Sequence, residues 1–263
     1  MRFATALAAV MVVTAGCGSK GPGPGAARTA HTEQRPAART RHKYAVLVNA
    51  DAASDHKHNV ARAYRTLRAL NFAAADIFVL TPRDRRTPPS NASPVFKPFP
   101  EHLVTVLDAL EQKVEPGDLV LIYGTGHGDT EEGESLLELR DGELFAGDLR
   151  DEVDHLRGET VVVMDQCFSG GFTDAFEGTA GKVLVVTTVD RDHLTYCGSF
   201  ARAFWDAFLH PERSDSNHDG KTSVREAYSL AAAAHHKELD GDPELRATAS
   251  CRSFNGFEDA VLN

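Results

Sequence analysis

Five short runs in this chain are apolar at almost every position: Tyr44–Ala50 (YAVLVNA), Ala75–Thr81 (ADIFVLT), Asp118–Gly124 (DLVLIYG), Thr160–Gln166 (TVVVMDQ) and Lys182–Val189 (KVLVVTTV). A strand wetted on one side alternates apolar and polar residues, so a run without alternation has to be covered on both faces. Between the runs, His58–Leu70 places Val60, Tyr64, Leu67 and Leu70 at helical spacing, and Glu101–Val114 does the same with Leu103, Val106, Leu107 and Leu110. Ala146–Leu156 is a third expected helix. Buried strands alternating with amphipathic helices predict an α/β fold of three layers, a mostly parallel central sheet flanked by helices. The polar, Pro-rich stretch Arg83–Pro100 is expected to be a loop. Ser135–Leu139 and Glu143–Phe145 are expected to form a small hairpin about the turn Arg140-Asp141-Gly142.

Parallel sheets build their sites just beyond the carboxyl ends of strands. The third run passes into Gly124-Thr125-Gly126-His127-Gly128-Asp129, and the fourth into Asp165-Gln166-Cys167-Phe168-Ser169-Gly170-Gly171. A histidine titrates near working pH, so it accepts a thiol proton and later returns it to a leaving group, while the thiolate is the nucleophile. Glycines let backbone N–H groups approach a substrate carbonyl, and the N–H groups of Gly128 and Cys167 are candidates for an oxyanion hole. The pattern alone also fits a buried cysteine closing a strand and a histidine that is only part of a loop.

A strand ending in His-Gly, followed by a strand ending in Asp-x-Cys-x-Ser-Gly, resembles the caspase-type cysteine peptidases: caspases, metacaspases and legumains. The legumain branch is the most similar, because Lys57-His58-Asn59-Val60-Ala61-Arg62-Ala63-Tyr64 looks like the basic-His-Gln stretch that opens the first helix there. The resemblance implies a caspase-like fold over roughly Tyr44–Phe208, inside a peptidase domain of residues 44–263. It implies Cys167 as nucleophile, His127 as base, and Gly128 with Cys167 as oxyanion donors. In metacaspases and legumains the acid at the position of Asp165 helps line the pocket for the residue before the cut bond. The resemblance places Lys57, His58 and Thr195 in that pocket too, with Lys for Arg and Thr for Ser as departures. A carboxylate there favours Asn or a basic residue and disfavours Asp, and the choice between Asn and Arg/Lys stays open.

Further on, Asp215-Ser-Asn217-His-Asp219-Gly220-Lys221-Thr-Ser223-Val-Arg-Glu226 fits the spacing of an EF-hand-type calcium loop. Side-chain oxygens of Asp215, Asn217, Asp219, Ser223 and Glu226 and the carbonyl of Lys221 would wrap one Ca2+, with Gly220 at the sharp turn. Helices are expected on either side, over Ser199–His210 and Ser223–Glu238, making a helix–loop–helix with a structural ion. Thr222 replaces the aliphatic residue usual at position 8, and no partner loop is visible in the sequence.

Met1–Gly16 has Arg2 followed by the apolar stretch Ala4–Val13, too short to span a bilayer and right for a secretory signal. Its end, Val13-Thr14-Ala15-Gly16-Cys17, resembles a bacterial lipobox, which implies acylation of Cys17 and anchorage in the cell envelope. Gly18 fits sorting to the outer membrane. Residues 18–43 hold six Lys/Arg and one Glu among Gly, Pro and Ala, a composition that cannot offset its ordering entropy by burial. Residues 17–43 therefore make a basic tether, whereas the whole chain carries a net charge of −10. That acidity argues against nucleic acid as a partner and leaves a protein or peptide substrate and, through the lipid, a membrane. Export permits a Cys197–Cys251 disulfide, and two free thiols are the alternative. A rival to the peptidase is a catalytically silent calcium-binding surface lipoprotein that binds other proteins. A thiol redox protein would want a C-x-x-C pair, which the chain lacks.

Overall fold

Each apolar run is a strand. They are β1 (Lys43–Asn49), β2 (Ile77–Leu80), β4 (Leu119–Thr125), β8 (Glu159–Asp165) and β9 (Lys182–Thr187), with β3 (Val95–Phe96) between β2 and β4. The computed structural model describes residues 39–82, 93–195, 198–239 and 248–262. The expected signal segment 1–16, Cys17, the expected tether as far as residue 38, residues 83–92 and Cys197 lie outside the described residues.

The strands form one seven-stranded sheet in the order β10-β9-β8-β4-β1-β2-β3, where β10 is Ser250–Phe254. All neighbours are parallel except β10, which runs antiparallel to β9. Alternate residues of the central strands feed two cores. Leu47, Leu121, Tyr123 and Val163 face helices α1 (Ser54–Ala69), α5 (Ser199–Ala207) and α7 (Val224–Leu239). Val46, Ile122, Val162 and Met164 face helices α2 (Pro100–Glu111), α3 (Ala146–Asp154) and α4 (Gly170–Ala175). A sheet buried on both faces by helices accounts for strands without alternation and gives the three layers expected from the sequence.

Local chemistry sets the element ends. Helix α1 stops where Asn71 adopts φ 64°, with Asn71 N–H donating to Arg68 O (3.2 Å) and Phe72 N–H to Leu67 O (3.0 Å). These two bonds satisfy carbonyls that the helix would leave orphaned, and Phe72 folds back into the core. Helix α2 starts on Pro100, whose missing N–H costs nothing at a first turn.

Four departures from expectation have physical reasons. Ala75 and Asp76 belong to a single 3-10 turn, Ala74–Asp76, so β2 is shorter than its apolar run. The expected hairpin, β6 (Glu134–Leu139) and β7 (Gly142–Phe145), gains a third antiparallel strand, β5 (Gly128–Glu131), whose mostly exposed Gly-Asp-Thr-Glu carries no apolar signal. The strands β3 and β10 sit at the two sheet edges, where half-covered residues suffice and no apolar run is required. The helix expected over Ser199–His210 ends at Ala207, and a one-turn helix α6 (Pro211–Ser214) restarts at Pro211, which cannot continue the earlier hydrogen-bond ladder.

Candidate active site

Register decides which residues meet. Asn49, at the end of β1, pairs with Thr125 of β4, and Thr125 pairs with Asp165 of β8. Two residues past each of these lie Asp51, His127 and Cys167. From β1 the chain leaves to β2 on one side and returns to β4 on the other. The gap between the ends of β1 and β4 is thus the switch point at which open α/β sheets place ligands.

His127 is largely exposed, and its Nε2 lies 3.4 Å from Asp51 Oδ2. On the far side of that carboxylate is His56, buried at the start of α1, with Nε2 3.3 Å from the same oxygen. The His56 and His127 rings meet edge to face at 5.7 Å. Asp51 Oδ1 accepts the Ala53 N–H at 2.6 Å, which holds the carboxylate in place.

Cys167 is half-buried, with its Sγ 3.5 Å from Thr195 O as acceptor and 3.4 Å from Thr195 N–H as donor. Among the described residues no hydrogen bond joins His127 to Cys167; the backbone brings their segments together instead. A Cβ added to Gly128 would lie 2.3 Å from the Cys167 carbonyl oxygen and 2.5 Å from Gln166 Cγ, so only glycine permits the approach. Glu138 N–H bonds His127 O (3.0 Å), which makes His127 and Glu138 a hydrogen-bonded pair of the β5–β6 ladder. Gly128, the next residue, belongs to a non-hydrogen-bonded pair with Leu137, and its N–H points away from β6. Phe168 follows the cysteine at φ 57°, a backbone conformation costly for a bulky residue, and its N–H is anchored on His193 O (2.9 Å).

Asp165 is 1% exposed and does not open into a pocket, contrary to expectation. Its Oδ2 accepts Tyr123 O–H (3.0 Å), Asn59 Nδ2 (3.3 Å) and Thr125 Oγ1 (3.5 Å), and its Oδ1 accepts Thr188 Oγ1 (3.1 Å). Burial pushes its pKa up, against hydrogen bonds from Tyr123 and Thr188 and the nearby His56 and His235. Burial, then the Asp165 charge, hold the Tyr123 phenol well above its usual range. The pair expected from α1 is displaced by one helical face. His56 and Asn59, three residues apart, turn toward the strand ends, while Lys57 is half-buried on the flank and His58 is exposed. Thr195 does stand beside Cys167 Sγ, but its hydroxyl meets His235 Nε2 at 3.2 Å. His235, buried in α7, also lies 3.4 Å from Ser199 Oγ, and burial lowers its pKa against the pull of Asp165 and Glu238.

The strand-end rule that marks His127 and Cys167 applies equally to Asp51, two residues past β1, which sequence reasoning missed. His56 and His235 carry no comparable sequence signal, since each reaches the site from a helix.

The acidic loop is ordered by its own carboxylates. Asp215 accepts Asp219 N–H (3.1 Å) and Gly220 N–H (2.7 Å), and Asn217 Oδ1 accepts Asp219 N–H (2.9 Å). Asp219 Oδ1 accepts Lys221 N–H (2.9 Å), and Gly220 takes φ 85°. Glu226 Oε1 accepts Ser216 N–H (2.7 Å) and Asn217 N–H (3.1 Å), and Oε2 accepts Ser223 N–H (2.9 Å). Burial pushes the Glu226 pKa up, but the hydrogen bonds from Ser223, Ser216 and Asn217 together outweigh it and draw it down to about 2. Ser223 forms a bridge with Val261, so the C-terminal segment pairs with the loop where a partner loop is absent. Cys251, in β10, has a free thiol whose pKa burial pushes up to about 12.

No protein-family model matches this chain, and no curated protein does. Among solved structures, protein GSU0716 from Geobacter sulfurreducens is similar in fold, with a TM-score of 0.56 at 11% identity, over 83% of this chain and 97% of that one. The likeness supports an α/β architecture and carries no activity with it.

Two outcomes follow from this geometry. Gly128→Ala forces His127 and Cys167 apart and should lower any Cys167-dependent turnover by about 100-fold, read as kcat/KM with the melting temperature alongside. Because the folded chain holds the Asp165 proton more tightly than the unfolded chain, the contribution of Asp165 to stability is greatest below a pH of about 3.9. It declines as pH rises through the raised folded value. Urea midpoints across that range should fall for the wild type relative to Asp165→Asn.

Proposed function

We propose that this chain is a cysteine endopeptidase of the caspase-like type, closest to legumains, acting through Cys167 and His127. The observation that supports it most is the placement of Asp51, His127 and Cys167 at equivalent positions past three register-matched parallel strands. His127 takes the Cys167 thiol proton, and Asp51, 3.4 Å from His127 Nε2, orients the ring. The thiolate attacks the peptide carbonyl, and the oxyanion rests on the N–H groups of Gly128 and Cys167. As the tetrahedral adduct collapses, the C–N bond breaks, His127 gives its proton to the departing amine, and a thioester remains. Water deprotonated by His127 attacks the thioester and releases the acid and the thiol. Substrate binding draws His127 and Cys167 into hydrogen-bond reach.

Cleavage is proposed after Asn or a basic residue and not after Asp. Asp165 contributes here through its field from below the strand ends, and Thr195 through the wall beside the thiol. The loop of Asp215, Asn217, Asp219, Lys221, Ser223 and Glu226 is proposed to hold a structural Ca2+, in an EF-hand-like manner. Its residues fit a cation: three carboxylates and an amide oxygen gather on one turn, held inward by backbone N–H groups. When bound, the ion would supply charge neutralisation and rigidity far from the thiol chemistry. Acylation at Cys17 would hold the domain at the cell envelope, on the basic tether.

The test is a fluorogenic peptide library varied at the residue before the cut bond, with Cys167→Ala as control. Turnover lost in Cys167→Ala and strongest after Asn, Arg or Lys is expected. Strongest cleavage after Asp would overturn the specificity, and no Cys167-dependent turnover would leave the silent surface lipoprotein. Calcium at a hundredfold excess over Kd should stabilise the wild type by about 2.7 kcal/mol and leave Asp219→Ala unmoved in a thermal melt.

A further inference from the structure

We propose that Asp51, His56 and His127 form a binding site for a divalent transition-metal ion, with zinc as the fitting case, separate from the acidic loop. Their ligand atoms, one carboxylate oxygen and two imidazole nitrogens, lie within 4.8 Å of one another. Asp51 Oδ2 stands 3.3 Å from His56 Nε2 and 3.4 Å from His127 Nε2. These separations are longer than good N–H···O bonds, and Asp51 Oδ2 is a buried oxygen that accepts no hydrogen bond. They match the edge of a tetrahedron of ligands about 2.0–2.1 Å from a central ion, which is about 3.3–3.4 Å.

The surroundings supply what such a site needs. His56 Nδ1 is 2.9 Å from Thr125 Oγ1, and Thr125 is 3.5 Å from Asp165 Oδ2. That chain fixes the ring with Nε2 toward Asp51, the outer-shell arrangement that orients metal-binding histidines. The Ala53 N–H holds the other carboxylate oxygen. His127 is 68% exposed in its side chain, which leaves an entry path and an open coordination position. Two imidazoles with one carboxylate suit zinc, copper or nickel, whereas calcium prefers an all-oxygen shell.

A consequence rests on the peptidase reading: an ion holding His127 Nε2 removes the base that Cys167 needs, so zinc would be a reversible inhibitor. The experiment titrates the full chain with Zn2+ against a chromophoric chelator, in excess calcium so that the acidic loop is occupied. One zinc per chain is expected. His127→Ala, at an exposed position that does not disturb the core, should weaken binding by more than Thr125→Val, for which about 10–100-fold is expected. Cys167→Ala should bind as the wild type does. No stoichiometric zinc, unchanged binding in His127→Ala, or loss of binding in Cys167→Ala would each overturn the site. Peptide turnover separates the two proposals. Zinc bound as expected, with no turnover by the zinc-free chain either, keeps the site and removes the peptidase, while turnover present without zinc and undiminished at saturating zinc shows His127 Nε2 unheld and removes the site.

Discussion

The hydrogen-bond register of β1, β4 and β8 is the constraint on which the chemistry depends. Pairing Asn49 with Thr125 and Thr125 with Asp165 sets three strand ends level. Asp51, His127 and Cys167, two residues further on, then share one rim, with Asp51 Oδ2 3.4 Å from His127 Nε2. A shift of one residue in any of these pairings would move every side chain of the strand from one core to the other, so the packing of both cores defends the register. Precision at the rim is thus inherited from apolar packing some distance away.

Asp165 is where that packing meets the site. A carboxylate with 1% exposure is costly unless its oxygens are satisfied, and here four donors from α1, β4 and the segment after β9 converge on it. Each donor gains a defined position in return, while Thr125 also meets His56 Nδ1 and Thr188 also bonds Met164 O. The acid therefore belongs to the joint between helix and sheet. Any influence on a substrate passes through its field and through Thr125 and His56, with no direct contact.

Much of the architecture was legible because fully buried parallel strands write themselves as unbroken apolar runs. The helix faces at Val60, Tyr64 and Leu67 were legible from their spacing. What escaped was structure that needs no apolar signal: β5, whose Gly128–Glu131 pairs through backbone alone, and the edge strands β3 and β10. In the site, His127 and Cys167 follow from a rule about strand ends. The burial of Asp165 does not, because strand alternation places a side chain on a face without saying how much lies above it. Lys57 and His58 were misplaced for a related reason, since the phase of α1 against the sheet, which turns His56 and Asn59 inward, is set by tertiary packing. The glycines of Ser169-Gly170-Gly171 likewise serve packing: a Cβ on Gly170 would lie 2.5 Å from the backbone at Asp190–Arg191.

The antiparallel strand β10 also bears on how the chain folds. Its residues Ser250–Phe254 lie against Val183–Thr187 of β9, and until they arrive one long edge of the central sheet has bare N–H and C=O groups. Contacts of such sequence separation form slowly, because the loop must close before the pairing rewards it. A chain in which β10 has come away from β9 would offer that bare margin to its neighbours. The strand nearest the C-terminus thus closes an edge that would otherwise invite pairing between chains.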